Sequence, residues 1–374
     1  MFEKLSYLTL QEYWWIIVAL LGALFSFIIF VQGGQTILNK VAKGEDEKDI
    51  IIASLGRKWE LSFTTLVMFG GALFAAFPLF YAVSFSGAYF AWMAILFCFI
   101  IQAVSYEYRK KPNNFLGQKT YEMFLFINGS IGIILIGVAL GTLFTGGNFV
   151  VNDMHQSHWT VATRGLEAVL NPFNVVLGLT LFFLSRVQAS LYFLHNIDHE
   201  KIQKRVKAQL RNDSIFFVLF FLLLVAMLMT ISGVGYDEDG FFVQKYKFLL
   251  NFLANPVLLI LFLIGTLSVL YAIFIALFQY SRNGIWLSGV GTVMVIFSIL
   301  CLLGFNNTAI YPSIADINSS LTIQNSSGSY YTLITMSYVS LLVPIVLAYI
   351  VFVWRAMDRE NITADEVESD SHKY

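Results

Sequence analysis

Of 374 residues, 57% are hydrophobic and only 13% carry a charge, well below the roughly one quarter found in soluble domains. That balance excludes an ordinary soluble enzyme. The net charge of −1, with the bases dispersed among loops, gives no sign of a nucleic-acid partner. Several apolar runs exceed the roughly 18 residues that cross a bilayer and none alternates like a barrel strand, so the chain reads as an all-α polytopic integral membrane protein.

Nine spans are expected, at about 13–31, 61–83, 88–106, 121–144, 172–195, 215–233, 255–279, 285–304 and 332–354. They make one membrane domain over residues 1–354, and the acidic segment 355–374 reads as a disordered cytoplasmic tail. The bases gather on one side, in loops holding Arg57 and Lys58, then Arg109, Lys110 and Lys111, then Lys201, Lys204, Arg205, Lys207 and Arg211. The other side has only Lys4, Arg164, Lys245 and Lys247, which predicts an outer N-terminus and a cytoplasmic C-terminus.

Span 1 begins at the interfacial indoles Trp14 and Trp15 and leaves through Gly33 and Gly34, which permit a bend or close packing. The following GEDEKD reads as a solvated loop. Spans 2 and 3 form a hairpin whose first arm Pro78 should bend. In span 4, Gly137 and Gly141 offer a small-residue packing face. His155 and His158 in the next loop read as solvated, because no carboxylate or thiol completes a metal site. LNPF ends that loop, with Asn171 expected to cap span 5 and Pro172 to open it.

Span 5 carries Arg186, a charge at membrane depth that must be paired, face the bundle or snorkel. His195 and His199 stand four apart at its inner boundary without further ligands nearby in sequence. The basic stretch HEKIQKRVKAQLR reads as a helical connection, and spans 6 to 8 hold no internal charge. GYDEDG reads as a solvated turn, and Cys98 and Cys301, both inside apolar runs, as packing residues.

No nucleotide-binding glycine pattern and no complete metal constellation appears. The candidates for chemistry are the few ionisable groups near membrane depth: Glu60, Glu107, Glu122 and Arg186, with Gln32, Gln35, Gln102 and Gln188 as polar neighbours. Glu60 leads, because Trp59 and the apolar run from Leu61 would partly desolvate it and favour proton exchange. The bland alternative pairs it with Lys58 or Arg57. On the residues alone, a subunit of a proton- or electron-handling complex and a small-solute transporter both stand.

GGALFAAFPLFYAVSFSGAYFA (70–91), SYEYRKK (105–111), LNPF (170–173), QASLYFL (188–194) and the block 311–354 resemble, in that order, subunit II of the cytochrome bd-type quinol oxidases. The resemblance implies a bacterial inner (plasma) membrane enzyme, a quinol:O2 oxidoreductase of the translocase class that reduces O2 to water. It implies two four-helix bundles plus one peripheral helix, paired with a haem-bearing subunit I that holds haem b and haem d. No cofactor or metal is then expected on this chain, although a structural quinone or lipid here and a small single-span accessory subunit stay open.

The departures from the family pattern are specific. Where the family has an acidic motif after span 1, this chain has GGQT, with Gln32 and Gln35 nearby. Trp59 is retained before span 2, and Glu60 stands for the aspartate associated with a cytoplasmic proton path. A span-3 arginine is replaced by Gln102, so an acid and a base have both become amides. By this reading Glu60, Trp59 and Glu107 form the proton inlet. Arg186 compensates electrostatically for Gln102, and Arg109 either shapes the inlet or pairs with Glu107. A non-catalytic scaffold subunit is the alternative within the family.

Overall fold

The computed structural model describes residues 2–279, 281–358 and 362. A long helix bends at Ile29 into α1 (Tyr7–Ile28) and α2 (Phe30–Val41), followed by α3 (Glu45–Gly56) and α4 (Trp59–Ala76). Pro78 ends α4 and opens the short α5 (Pro78–Tyr81), which runs through a π-helical stretch at 82–87 before α6 (Tyr89–Tyr108). α7 (Gln118–Ile127) and α8 (Ile133–Thr145) are one helix interrupted by a π segment at 128–132.

Next come the hairpin β1 (Phe149–Val151) and β2 (Ser157–Trp159), then α9 (Pro172–Asn196) and α10 (Glu200–Thr230). A second hairpin, β3 (Gly233–Asp237) and β4 (Gly240–Gln244), leads to α11 (Lys247–Ala254), α12 (Pro256–Phe278) and α13 (Gly284–Leu300). The chain closes with α14 (Ile323–Ser326), α15 (Tyr330–Ser340) and α16 (Val343–Met357).

Among the described residues, eight helical stretches are long and apolar enough to cross a membrane. The eighth expected span, 285–304, is instead the 17-residue α13, about 26 Å of helix continued by turns through Leu303. GEDEKD is not a loop. It opens α3, and Glu45, Glu47 and Asp49 face partners on distant helices.

α9 is the central helix, packed by α2, α8, α10 and α13. Its start follows the sequence: the Asn171 side chain accepts from Phe173 N–H and Pro172 occupies the first helical position. Two glycine contacts set its neighbours. A Cβ on Gly33 would lie 2.3 Å from the Ser185 carbonyl, and one on Gly137 would lie 2.4 Å from Gly178 Cα, so both α2 and α8 touch α9 backbone to backbone. α15 and α16 lie at the periphery, with only 11% of their apolar window buried.

Loops rich in Lys and Arg collect at one end of the bundle, called here the basic end. The opposite end is capped by both hairpins and the segment 304–329. Main-chain bonds stitch that cap together: Gly147 N–H to the Pro312 carbonyl (3.0 Å), Ala309 N–H to Val234 (2.9 Å) and Ile310 N–H to Leu321 (2.8 Å). Tyr311 lies buried beneath them, stacked on Phe149.

Candidate functional site

Three arrangements at or near the basic end carry the polar chemistry. The first is a buried row of amides. Tyr106, Gln102 and Cys98 stand four apart and therefore share one face of α6. Gln35 and Gln32 line the facing side of α2. Gln35 Nε2 donates to Tyr106 Oη at 3.1 Å. Gln32 Nε2 donates to Ser62 Oγ at 2.7 Å and to Gln102 Oε1 at 3.3 Å.

Deeper in, Gly129 brings the π segment onto the main chain of Gln32. A Cβ there would meet the Gln32 carbonyl at 2.2 Å, and one on Gly132 would lie 3.2 Å from Cys98 Cβ and 3.5 Å from Asn128 Nδ2, which brings Asn128 to the Cys98 end of the row. Five side-chain atoms in this row are buried with no hydrogen-bond partner: Gln32 Oε1, Gln35 Oε1, Gln102 Nε2 and both polar atoms of Asn128. An orphaned buried polar atom costs about 1–3 kcal/mol, and a polar site of this kind recruits ordered water. Amides do not titrate in the working range, but they orient water as donors and acceptors.

The second arrangement surrounds Lys58, which is fully buried. Its ammonium meets Asp358 Oδ1 at 3.0 Å and lies 5.2 Å from the centre of the Trp354 ring. The same oxygen accepts from Asn196 Nδ2 (3.0 Å) and Tyr192 Oη (3.2 Å), and Arg57 reaches the Met357 carbonyl. Ile362 continues the attachment, donating its N–H to the Asn196 carbonyl. The expected disordered tail is therefore held at Asp358 and Ile362, and its other residues beyond 358 lie outside the described ones.

The third is centred on Arg109, which donates to Glu122 (2.8 Å), Asp49 (2.6 Å) and Glu45 (3.1 Å), while Lys48 also reaches Glu122 at 3.0 Å. Burial opposes the guanidinium charge. Its hydrogen bonds to Glu122 and Asp49 outweigh that and hold its pKa above the ordinary value.

The expected inlet residues separate. Trp59 stacks on Tyr106, with centroids 5.8 Å apart, at the mouth of the amide row. Glu60 is exposed, and among the described residues it has no hydrogen-bond or ion-pair partner. Neighbours on a helix point about 100° apart, so Trp59 turns inward while Glu60 turns out, and the expected desolvation of Glu60 by Trp59 is not seen within this chain. Its alternative partner Lys58 is engaged with Asp358. Glu107 pairs with Lys111 (3.1 Å) and not with Arg109, because it lies on the exposed side of α6.

Arg186 pairs with Asp213 on α10 at 3.0 Å, and Gln209 holds the other Asp213 oxygen. Gln102 bonds to Gln32 instead, so these two positions have different partners. His195 Nδ1 faces the Arg282 carbonyl and His199 caps α10. Sequence reasoning missed Asn128, Asp213, Lys58 as a buried base, and Asp358. The only local signal was that Arg186 required a counter-charge.

The sequence profile described as "Cytochrome bd terminal oxidase subunit II" matches residues 10–357. The chain belongs to that family. It is similar to Cytochrome bd-I ubiquinol oxidase subunit 2 of Escherichia coli K12, with 26% identity over 98% of this chain and 99% of the relative. It is also similar to Cytochrome bd ubiquinol oxidase subunit 2 of Bacillus subtilis, with 24% identity over 95% and 99%. Its fold matches a solved structure of bd oxidase from Geobacillus thermodenitrificans, with a TM-score of 0.63, 15% identity and coverage of 93% of this chain and 98% of that one. This multi-pass membrane protein is thus a bd oxidase subunit, and its buried amide row runs through α2, α4, α6 and the α7–α8 junction of a subunit II fold.

Proposed function

We propose that this chain pairs with and stabilises the haem-bearing subunit I of a quinol oxidase in the bacterial inner membrane, and brings protons to the site where O2 becomes water. The basic end is then cytoplasmic, following the distribution of Lys and Arg. Haem b and haem d belong to subunit I. Nine helices form two four-helix bundles, with α15–α16 as the peripheral ninth element. A narrow apolar cleft of about 60 Å3 between α8, α9, α10, α12 and α13, lined by Phe144, Phe173, Phe217 and Val295 among others, is in this reading the place for a lipid chain or a quinone tail.

The observation that carries the proton reading is the row of orphaned amides leading inward from Trp59 and Tyr106. In this reading Glu60, exposed beside that mouth, collects protons. Water ordered by Gln35, Gln32, Gln102 and Asn128 passes them on toward subunit I.

Family membership sets aside the transporter alternative, and one experiment separates the inlet from a passive scaffold. Glu60→Gln and Gln102→Leu should each slow O2 consumption by the purified complex severalfold while the haem absorption spectrum stays unchanged. Unaltered turnover in both would leave the chain as a scaffold.

A further inference from the structure

A cleft of about 380 Å3 opens at the basic end, lined by Asn39 of α2, Lys48 of α3, and Lys119, Glu122, Met123 and Phe126 of α7. Its charges are uneven. Glu122 is already neutralised, accepting from Arg109 on one oxygen and Lys48 on the other, and Lys48 is itself shared with Glu45. Lys119 is exposed and, among the described residues, has no ion-pair partner, so the cleft presents a spare positive charge beside the exposed Asn39.

The rest of the lining is apolar and open. Met123 and Phe126, three apart on one stripe of α7, are 53% and 48% exposed. The loop leading into α7 carries Phe115, 95% exposed, and Leu116, 43% exposed, beyond Lys110 and Lys111. Apolar tips beside lysines are the pattern of a segment seated at the headgroup level. A soluble anion would use the lysines and leave the Met123–Phe126 stripe empty. A phospholipid uses both.

We propose that this cleft binds one anionic phospholipid, its phosphate at Lys119 and Asn39 and an acyl chain along Met123 and Phe126. The site thereby ties α2, α3 and α7 to the bilayer beside the Arg109 cluster. A lysine at the membrane surface contributes about 1 kcal/mol toward an anionic lipid, so reversing Lys119 should weaken binding at least about fivefold.

The test is native mass spectrometry of the intact purified complex titrated with dioleoylphosphatidylglycerol, dioleoylphosphatidylcholine or inorganic phosphate. The wild type should retain one phosphatidylglycerol more tightly than phosphatidylcholine. Lys119→Glu and Phe126→Gln should each lose that preference or affinity, Lys119→Arg should keep it, and phosphate should not displace the lipid. Equal retention of both lipids, or no change in Lys119→Glu, overturns the proposal. Displacement by phosphate would also overturn it, by assigning the cleft to a soluble anion.

Discussion

The two ends of the bundle are held by different physics. At the basic end, buried or half-buried charges meet counter-charges across helices: Lys58 with Asp358, Arg109 with Glu122 and Asp49, Arg205 with Glu47, and Arg186 with Asp213. Among the described residues every ion pair lies toward this end. The capped end has none. It depends on main-chain hydrogen bonds between loops, with Asn306 and Asn307 in the left-handed region, and even the buried Lys247 is met by a carbonyl, that of Asn306. One end is therefore specified by charge and the other by backbone shape, and perturbations that break one should spare the other.

The largest effect is expected at the basic end. Lys58→Met leaves Asp358 buried without its cation, which should destabilise the complex by about 3–5 kcal/mol, read as a lowered thermal midpoint in detergent. Adding Asp358→Leu should recover much of that loss, because the stranded charge is then removed as well. A double variant no better than the single would mean that the pair is not the source of the effect.

The capped end should answer to alkali. Burial pushes the Tyr311 phenol from 10 up to about 12, so the folded state favours its neutral form. The resulting stability is fully present below pH 10 and is lost as the pH rises toward 12, on the order of 2–3 kcal/mol. Tyr311→Phe should remove this residue's share of the loss between pH 10 and 12, measured by chemical unfolding.

The smallest effect is expected for Glu107→Gln. Its partner Lys111 is an exposed i,i+4 neighbour, so stability should move by less than about 0.5 kcal/mol. Turnover that fell as far as in Glu60→Gln would place Glu107 in the inlet after all.

What could be read from the sequence was whatever is local in the chain. Apolar runs located most of the helices, Asn171-Pro172 announced the start of α9, and Gly137 with Gly141 marked a packing face. That face proved to meet α9 at Gly178 and Asn174. Pairings over long separations left no local trace. The acids of GEDEKD look solvated until Arg109 and Arg205 arrive from other helices, and Asp358 looks like a tail residue until α16 delivers it to Lys58. Glu60 shows the opposite failure, since adjacency to Trp59 in the chain did not become contact across a helix. The amide row was half visible. Gln32, Gln35 and Gln102 drew attention as replacements, whereas Asn128 joins them only because the π segment and Gly129 bring it there.

The Lys58–Asp358 pair also bears on how the chain is made. Three hundred positions separate the two residues, so the base is synthesised and inserted long before its acid exists. Until α16 arrives, the junction of α3 and α4 must keep Lys58 at the water interface and cannot close over it, because burying an uncompensated ammonium is too costly. Closure of the first-made helices therefore waits on the last. A chain cut before residue 358 should therefore hold this end of the bundle less tightly than the full one.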